Sequence, residues 1–295
     1  MPLEYEAIRK SFSSIAHQYE HNAILQKEVL SRLLERLDDE QKLDADFKSK
    51  QILDLGCGTG WALKPLLKMF PQAHISALDF SSAMLKEYSQ SNEQVKTIHA
   101  DAHDLPFADA SHDVVFSNML LHWCNEEDVF AECLRVLEPG GLLIMSALGE
   151  TSLYELKQAW QQVDNNDHVH DFPALHKLGD QLLAQGFADV VVNTEVITLT
   201  YTDLLALMRD IKASGGHNVM EHRHKGLMST AKLQRLIAAY EVFREDKRLP
   251  ASYEIVYLRA KKPLDMERIQ MTISTIECYA KLKIVQSREN NETNQ

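Results

Sequence analysis

The chain has too few cysteines, and too poorly spaced, for a disulfide framework or a thiolate metal site. Cys57, Cys124, Cys133 and Cys278 include no CxxC pair, which predicts free thiols in a reducing, cytoplasmic setting and no metal. No run of about 18 apolar residues exists, so no membrane span is expected. The first ten residues are charged and carry no apolar stretch, which argues against a secretory signal. A basic excess is missing too. Lys and Arg number 31 against 43 Asp and Glu, for a net charge of −12. That excludes general nucleic-acid binding, which depends on neutralising phosphates, and taken as a whole it also disfavours an acidic partner. Repeats and low-complexity stretches are absent. What is present, 45% hydrophobic and 25% charged residues in 295, is ordinary for a folded chain with one large domain or a domain carrying an insertion.

Along the chain, residues 4–47 read as polar helix, with Ile24, Leu25, Val29, Leu30, Leu33, Leu34 and Leu37 at helical spacing. Short apolar runs then alternate with helical segments. Strands are expected at 51–55, 75–78, 95–99, 114–117 and 142–147. Helices are expected at 61–69, 82–89 and 126–137, the last stopped by Pro139-Gly140-Gly141. This alternation indicates a parallel α/β sheet. Beyond residue 150 the pattern loosens to a helix at 173–185, a β-branched strand at 190–200, a mostly helical block at 202–248 and a strand at 253–260. A block between two strands reads as an insertion over one end of the sheet. A final helix is expected at 264–285, and 287–295 is polar enough for a disordered tail.

The sharpest motif is Asp54-Leu55-Gly56-Cys57-Gly58-Thr59-Gly60, which follows a strand and precedes a helix. Glycines there allow tight turns and let a ligand lie against the backbone. Asp79 ends the next strand, where an acid can accept both hydroxyls of a ribose. The dinucleotide fingerprint is GxGxxG with pyrophosphate on the helix N-terminus. Here the pattern is GxGxG, and Asp54 would repel a pyrophosphate but suits a cationic amino group. S-adenosylmethionine, with a ribose and an amino-acid tail but no phosphate, is the expected cofactor. A dinucleotide and a plain strand–turn–helix corner are the alternatives. Cys57 lies within the loop. Asp101-Ala102 follow the third strand, where a carboxylate can accept the adenine amino group or else cap the next turn. Phe80 and Met84 pack against adenosine or belong to the core. Asn118 ends the fourth strand at the ligand edge of the sheet.

These residues resemble the class I S-adenosylmethionine-dependent methyltransferases over roughly residues 45–150. Further segments are more specific. Ser11 to Glu20 with His21 to Gln26, Ser117 to Cys124, Leu207 to His217 and Leu249 to Glu254 are similar to the BioC family, the malonyl-[acyl-carrier protein] O-methyltransferases of biotin synthesis. One departure is His122, where that family is expected to carry Gln. The resemblance implies a seven-stranded, mostly parallel Rossmann-like sheet. It further implies a helical N-terminal cap over 1–47, a methyltransferase domain over 48–262 with a helical lid at about 201–250, and a C-terminal helix and tail over 263–295.

It also implies methylation of the free carboxylate of a malonyl thioester on an acyl carrier protein or coenzyme A. A carboxylate is already ionised at neutral pH and needs orientation rather than a base, so no catalytic acid–base pair is expected. Arg209, and secondarily Lys212, are the expected partners of that carboxylate, against a surface ion-pair reading. Tyr19 and His21 are expected to close the pocket, or else to pack the N-terminal helix. His122 and His217 are expected near the reacting centre, or at the surface. The basic run His222 to Lys225 offers a docking face for an acidic carrier protein, or is a solvated loop. The alternatives in function are a carboxyl methyltransferase acting on a small free acid such as trans-aconitate, and a methyltransferase-like assembly factor.

Overall fold

Strands form where apolar residues occupy consecutive positions between turns, because a central parallel strand is buried on both faces. A computed structural model of the chain describes residues 5–43, 50–88, 92–216 and 228–264. By its contacts the chain divides into Met1–Lys262 and Pro263–Gln295, and the elements below lie in the first. β1 (Gln51–Leu55), β2 (His74–Asp79), β3 (Val95–His99), β4 (His112–Asn118), β5 (Leu137–Leu148), β6 (Ala188–Tyr201) and β7 (Leu249–Lys261) build one sheet in the order β3-β2-β1-β4-β5-β7-β6. β1 to β5 pair in parallel, and β7 runs antiparallel to both β5 and β6. The expected mostly parallel seven-stranded sheet is therefore present. Strand order reverses at β1, which lies between β2 and β4, and ligands of open α/β sheets bind at the carboxyl ends of strands at such a point.

Alternate residues of each strand serve opposite layers. Ile52, Val114, Phe116 and Ile144 face one core with Leu33 and Leu37 of α2 (Ile24–Leu43). Leu53, Val115, Leu143 and Met145 face the other, with Val129 and Cys133 of α5 (Glu126–Val136) and Leu178 and Leu182 of α7 (Leu175–Gln185). α3 (Leu63–Met69) and α4 (Ser82–Glu87) follow β1 and β2. The N-terminal helical segment is two helices, α1 (Tyr5–Asn22) and α2, separated at Ala23. Between β6 and β7 stand α8 (Leu204–Ala213) and α9 (Thr230–Tyr240), followed by a 3₁₀ turn (Glu241–Phe243). His217, the run His222 to Lys225, Cys278 and the helix and tail expected after residue 264 lie outside the described residues.

Two departures from the sequence reading have physical causes. β5 begins at Leu137, not after the Pro-Gly-Gly stop, because Leu137 pairs with His112, and Gly140 and Gly141 exchange backbone hydrogen bonds with Lys262. Strand partners distant in sequence override the local breaker signal. α6 (Tyr154–Gln161) has no strong signal of its own and is anchored by Glu155. This carboxylate is fully buried and accepts hydrogen bonds from the Ser252 amide (3.1 Å) and hydroxyl (2.6 Å) at the start of β7. Glu155→Ala should leave the Ser252 donors unpaired and cost about 1–3 kcal/mol of stability. Glu155→Gln should recover most of that loss, and urea unfolding of both variants checks it.

Candidate active site

β1 delivers the chain into Gly56–Gly60 at the carboxyl edge of the sheet. The loop turns back because the amides of Gly56 and Cys57 both donate to the Leu78 carbonyl, at 2.8 and 2.9 Å. Gly58 has φ +55°, and the nearest atom to a Cβ placed there is Tyr19 Cε1 at 3.8 Å, so bare backbone walls the space beneath Tyr19. Gly60 has a different task. A Cβ there would lie 2.8 Å from Leu63 Cδ1 and 2.9 Å from Tyr88 Cδ2. Its Cα side is packed against Leu63 and Tyr88, so a side chain there would displace the start of α3 or the Tyr88 ring.

Asp79, at the end of β2, ties this loop down. Its Oδ2 accepts from the Gly58 amide (2.9 Å) and its Oδ1 from the Ser81 amide (2.8 Å). Each oxygen keeps a second lone pair for a ligand hydroxyl. Burial raises this carboxyl to about 6 against the opposing pull of those two amides. Asp54 lies deeper. It is 2% exposed, and its Oδ2 has no hydrogen-bond partner. Burial, then the charge of Asp79, raises it to about 8. An unpaired buried acid is costly. Here it lines a recess shared with Gly56, Cys57 and Gly58, so its free oxygen suits a cationic group lying on the glycine loop. The Cys57 thiol, pushed up first by burial and then by Asp54, stays protonated there.

A second cavity runs from Gly58 and Asp79 past Phe80 and Met84 to Asp101 and Ala102. Met84 is almost fully buried, at the start of α4, whose N-terminus Ser81 caps by accepting from the Met84 amide. Burial pushes Asp101 up, but hydrogen bonds from the His103 amide (2.9 Å) and ring (2.5 Å) outweigh it and hold the carboxyl below its usual value. Asn118 also lines this cavity, yet its amide is already engaged. It donates to the Gln26 carbonyl (3.0 Å) and accepts from Ser146 Oγ (2.9 Å), which pins α2 to the sheet edge.

A third, larger cavity adjoins these two. Phe12, Tyr19, Met119 and Trp123 wall both it and the second cavity, while Tyr19 borders all three spaces. Tyr19 stacks on Trp61 (centroids 5.3 Å apart), and Phe12 meets Trp123 edge-on at 5.6 Å. α1 thus roofs the junction through aromatic contacts. Trp61 and Phe12 escaped the sequence search for ligand residues, although Phe12 lies in the distinctive N-terminal segment. Met119, with φ +58°, leaves β4 in a conformation that a side-chain-bearing residue rarely adopts, and strain of this kind gathers at binding sites.

His122 lines the third cavity, as do His168, His170 and Phe172, which the sequence search did not single out. Burial, and His170 beside it, lower His122 to about 3. Arg209 and Lys212 are not brought here. α8 turns Asp210, Ile211 and Ser214 toward the cavity and leaves Arg209 and Lys212 exposed on its other side. The described structure does not bring them to the expected ligand contact: at about 100° per residue, Arg209 and Lys212 share the helix face opposite the one that carries Asp210 and Ile211. The charge of Arg209 instead acts on exposed Asp203, after local hydrogen bonds, to lower its carboxyl. The backbone of His21 lies within α1, and its side chain is outside the described structure.

A glycine loop after β1, an acid ending β2, a strand order reversing at β1 and a last strand inserted antiparallel between β5 and β6 make this the sheet of a class I methyltransferase. A methyltransferase domain signature matches residues 53–145. The fold matches the YcgJ protein from Bacillus subtilis with a TM-score of 0.56 at 16% identity, covering 79% of this chain and 99% of that one. Full-length relatives narrow the class. The malonyl-[acyl-carrier protein] O-methyltransferase of Methylovorus sp. (strain MP688) is 41% identical over 266 residues, 87% of this chain and 88% of that one. The biotin biosynthesis bifunctional protein BioHC of Teredinibacter turnerae is 36% identical over 88% of this chain and 47% of its own length. The chain belongs to the malonyl-[acyl-carrier protein] O-methyltransferase family.

The raised carboxyl of Asp54 has a consequence for stability. A folded-state value above the unfolded one favours folding below the unfolded value, near 4, and that contribution is lost as pH rises through about 8. Asp54→Asn should therefore melt at least about 3 °C above the wild type at pH 8.5 without ligand, and at the same temperature near pH 4. Scanning calorimetry at both pH values measures this.

Proposed function

We propose that this protein transfers the methyl group of S-adenosylmethionine to the free carboxylate of a malonyl thioester, giving the methyl ester used in biotin synthesis. The observation that carries the reading is the buried Asp54, whose Oδ2 has no partner, beside a glycine loop held by Asp79, in a chain of this family. S-adenosylmethionine supplies a sulfonium-activated methyl group, so the acceptor oxygen needs alignment rather than a metal or a base. Asp54 takes the cofactor's amino group, Asp79 its ribose hydroxyls, and Asp101, Phe80 and Met84 border its adenine. Gly56 and Gly58 let it lie against the backbone. The aromatic roof of Phe12, Tyr19 and Trp123 excludes water from the junction, which strengthens every polar contact inside it.

The acceptor is placed in the third cavity, since that space meets the cofactor region at Tyr19 and Met119. The malonyl group is carried by an acyl carrier protein, the substrate printed in the relatives' names, and the reaction is assigned to the cytoplasm. No described helix is long and apolar enough to cross a membrane.

The decisive assay supplies labelled S-adenosylmethionine with malonyl-carrier protein, malonyl-coenzyme A or trans-aconitate. A base-labile methyl ester is expected on the malonyl carrier protein. Label only on trans-aconitate would overturn the substrate reading. Asp79→Ala should reduce cofactor affinity by more than tenfold in calorimetry. The pH profile of cofactor affinity is also set by the site. Below about 8, forming the Asp54–ammonium pair releases a proton from Asp54. Above the α-amino value of about 7.7–8.0 it takes one up onto the amine. Affinity should peak near pH 8, and Asp54→Asn should remove the acidic limb of that peak.

A further inference from the structure

The third cavity poses a problem of charge. If the proposed reaction is right, the acceptor enters as a carboxylate and leaves as a neutral ester. A fixed cation against that carboxylate would stabilise the starting state more than the transition state, where the charge is already shrinking. The titratable side chains that the described residues bring to this cavity are His122, His168, His170, Asp210, Tyr19 and Tyr253. Asp210 accepts a hydrogen bond from Tyr201 at 2.6 Å, and His168 is held by Asp164 at 2.8 Å and stacked on Trp160. Lys157 lies over the Phe172 ring and pairs with Asp171 at 3.5 Å.

His122 differs from these. It is 9% exposed, and its Nδ1 has no hydrogen-bond partner. Its ring is fixed between Trp123 (centroids 5.1 Å apart) and Phe172 (5.9 Å). It belongs to the 3₁₀ turn after β4, between Met119 and Trp123, the residues that wall both the cofactor region and the acceptor cavity. A buried N–H without an acceptor is rarer than a buried lone pair without a donor. The neutral ring therefore carries its proton on Nε2.

We propose that His122 receives the acceptor carboxylate as an uncharged donor, its Nε2–H bonding the carboxylate oxygen that does not take the methyl group. The inference rests on the malonyl reading above. A bound carboxylate raises a neighbouring histidine by about 1–3 units. From its low starting value His122 stays neutral at physiological pH. The amide of Gln supplies an equivalent uncharged donor, whereas Leu fills similar space with no donor.

The test compares the full-length wild type, His122→Gln and His122→Leu with malonyl-carrier protein from pH 6.5 to 9. Cofactor affinity is measured alongside by calorimetry. Loss of one hydrogen bond to a charged group corresponds to about 10–100-fold. The Leu variant is expected to lose that much in kcat/KM with cofactor affinity held within threefold, and the Gln variant to recover to within fivefold of wild type. The wild-type KM for the malonyl substrate is expected to stay flat across the range. A Leu variant within threefold of wild type overturns the proposal, and so does a loss that Gln does not repair. So does a wild-type KM that climbs with pH above 7 while the Gln variant stays flat, since that marks an imidazolium. If His122→Leu fails to fold, the Gln variant and the wild-type pH profile still decide. Failure of the wild type to methylate any malonyl thioester is seen before the variants are compared, and it removes the substrate reading together with this proposal.

Discussion

The carboxylate of Asp79 is the fixed point of this site. One oxygen holds the Gly58 amide and the other the Ser81 amide, so a single side chain sets both the glycine loop after β1 and the entry to α4. Two strands adjacent in the sheet are thereby locked at their carboxyl ends. Its negative charge adds to burial in keeping Asp54 protonated while no cation is near. The interaction that shapes the loop is thus also part of what prepares the neighbouring acid for a positively charged ligand. The cost is a destabilised ligand-free protein at alkaline pH, consistent with sites that trade stability for function.

The sheet edge alone would leave the cofactor region open, and α1 and α2 close it. They reach it by two kinds of contact. Asn118 of β4 binds the Gln26 carbonyl of α2, and the aromatic contacts among Phe12, Tyr19, Trp61 and Trp123 join α1 to the glycine loop and to the turn after β4. Phe12, Tyr19 and Trp123 wall both the second cavity and the third, the space proposed for the acceptor.

Local patterning made much of the fold legible. Five short apolar runs bounded by turns became β1 to β5, and the β-branched run became β6: the inner strands are apolar because both their faces are buried, while the edge strands β3 and β6 are only partly buried and were marked by β-branched residues between turns. The glycine loop and Asp79 were legible for a related reason, since adjacent parallel strands place the ends of consecutive strands side by side. The start of β5 was not, because Leu137 is held by His112 and by a Gly140–Gly141 pairing to Lys262, and neither partner can be named from the local sequence. The facing of Arg209 and Lys212 was not legible for a simpler reason. Helical spacing says which residues share a face but not which face meets the cavity, and packing of Leu204 and Leu207 into the core decided that.

The sequence by itself determined the α/β class, the parallel strand arrangement, the cofactor loop with its two acids, and the family resemblance that pointed to a carboxylate acceptor. These depend on periodicity and short spacings that survive without knowledge of distant contacts. Only the tertiary structure decided that Asp54 Oδ2 has no partner, that Gly60 packs against Leu63 and Tyr88, and that Asn118 ties α2 to the sheet edge. It also turned α8 so that its cations face away, and buried His122 beside the junction of the cavities. Each of those outcomes is a matter of burial and orientation, which arise from contacts between residues far apart in the chain.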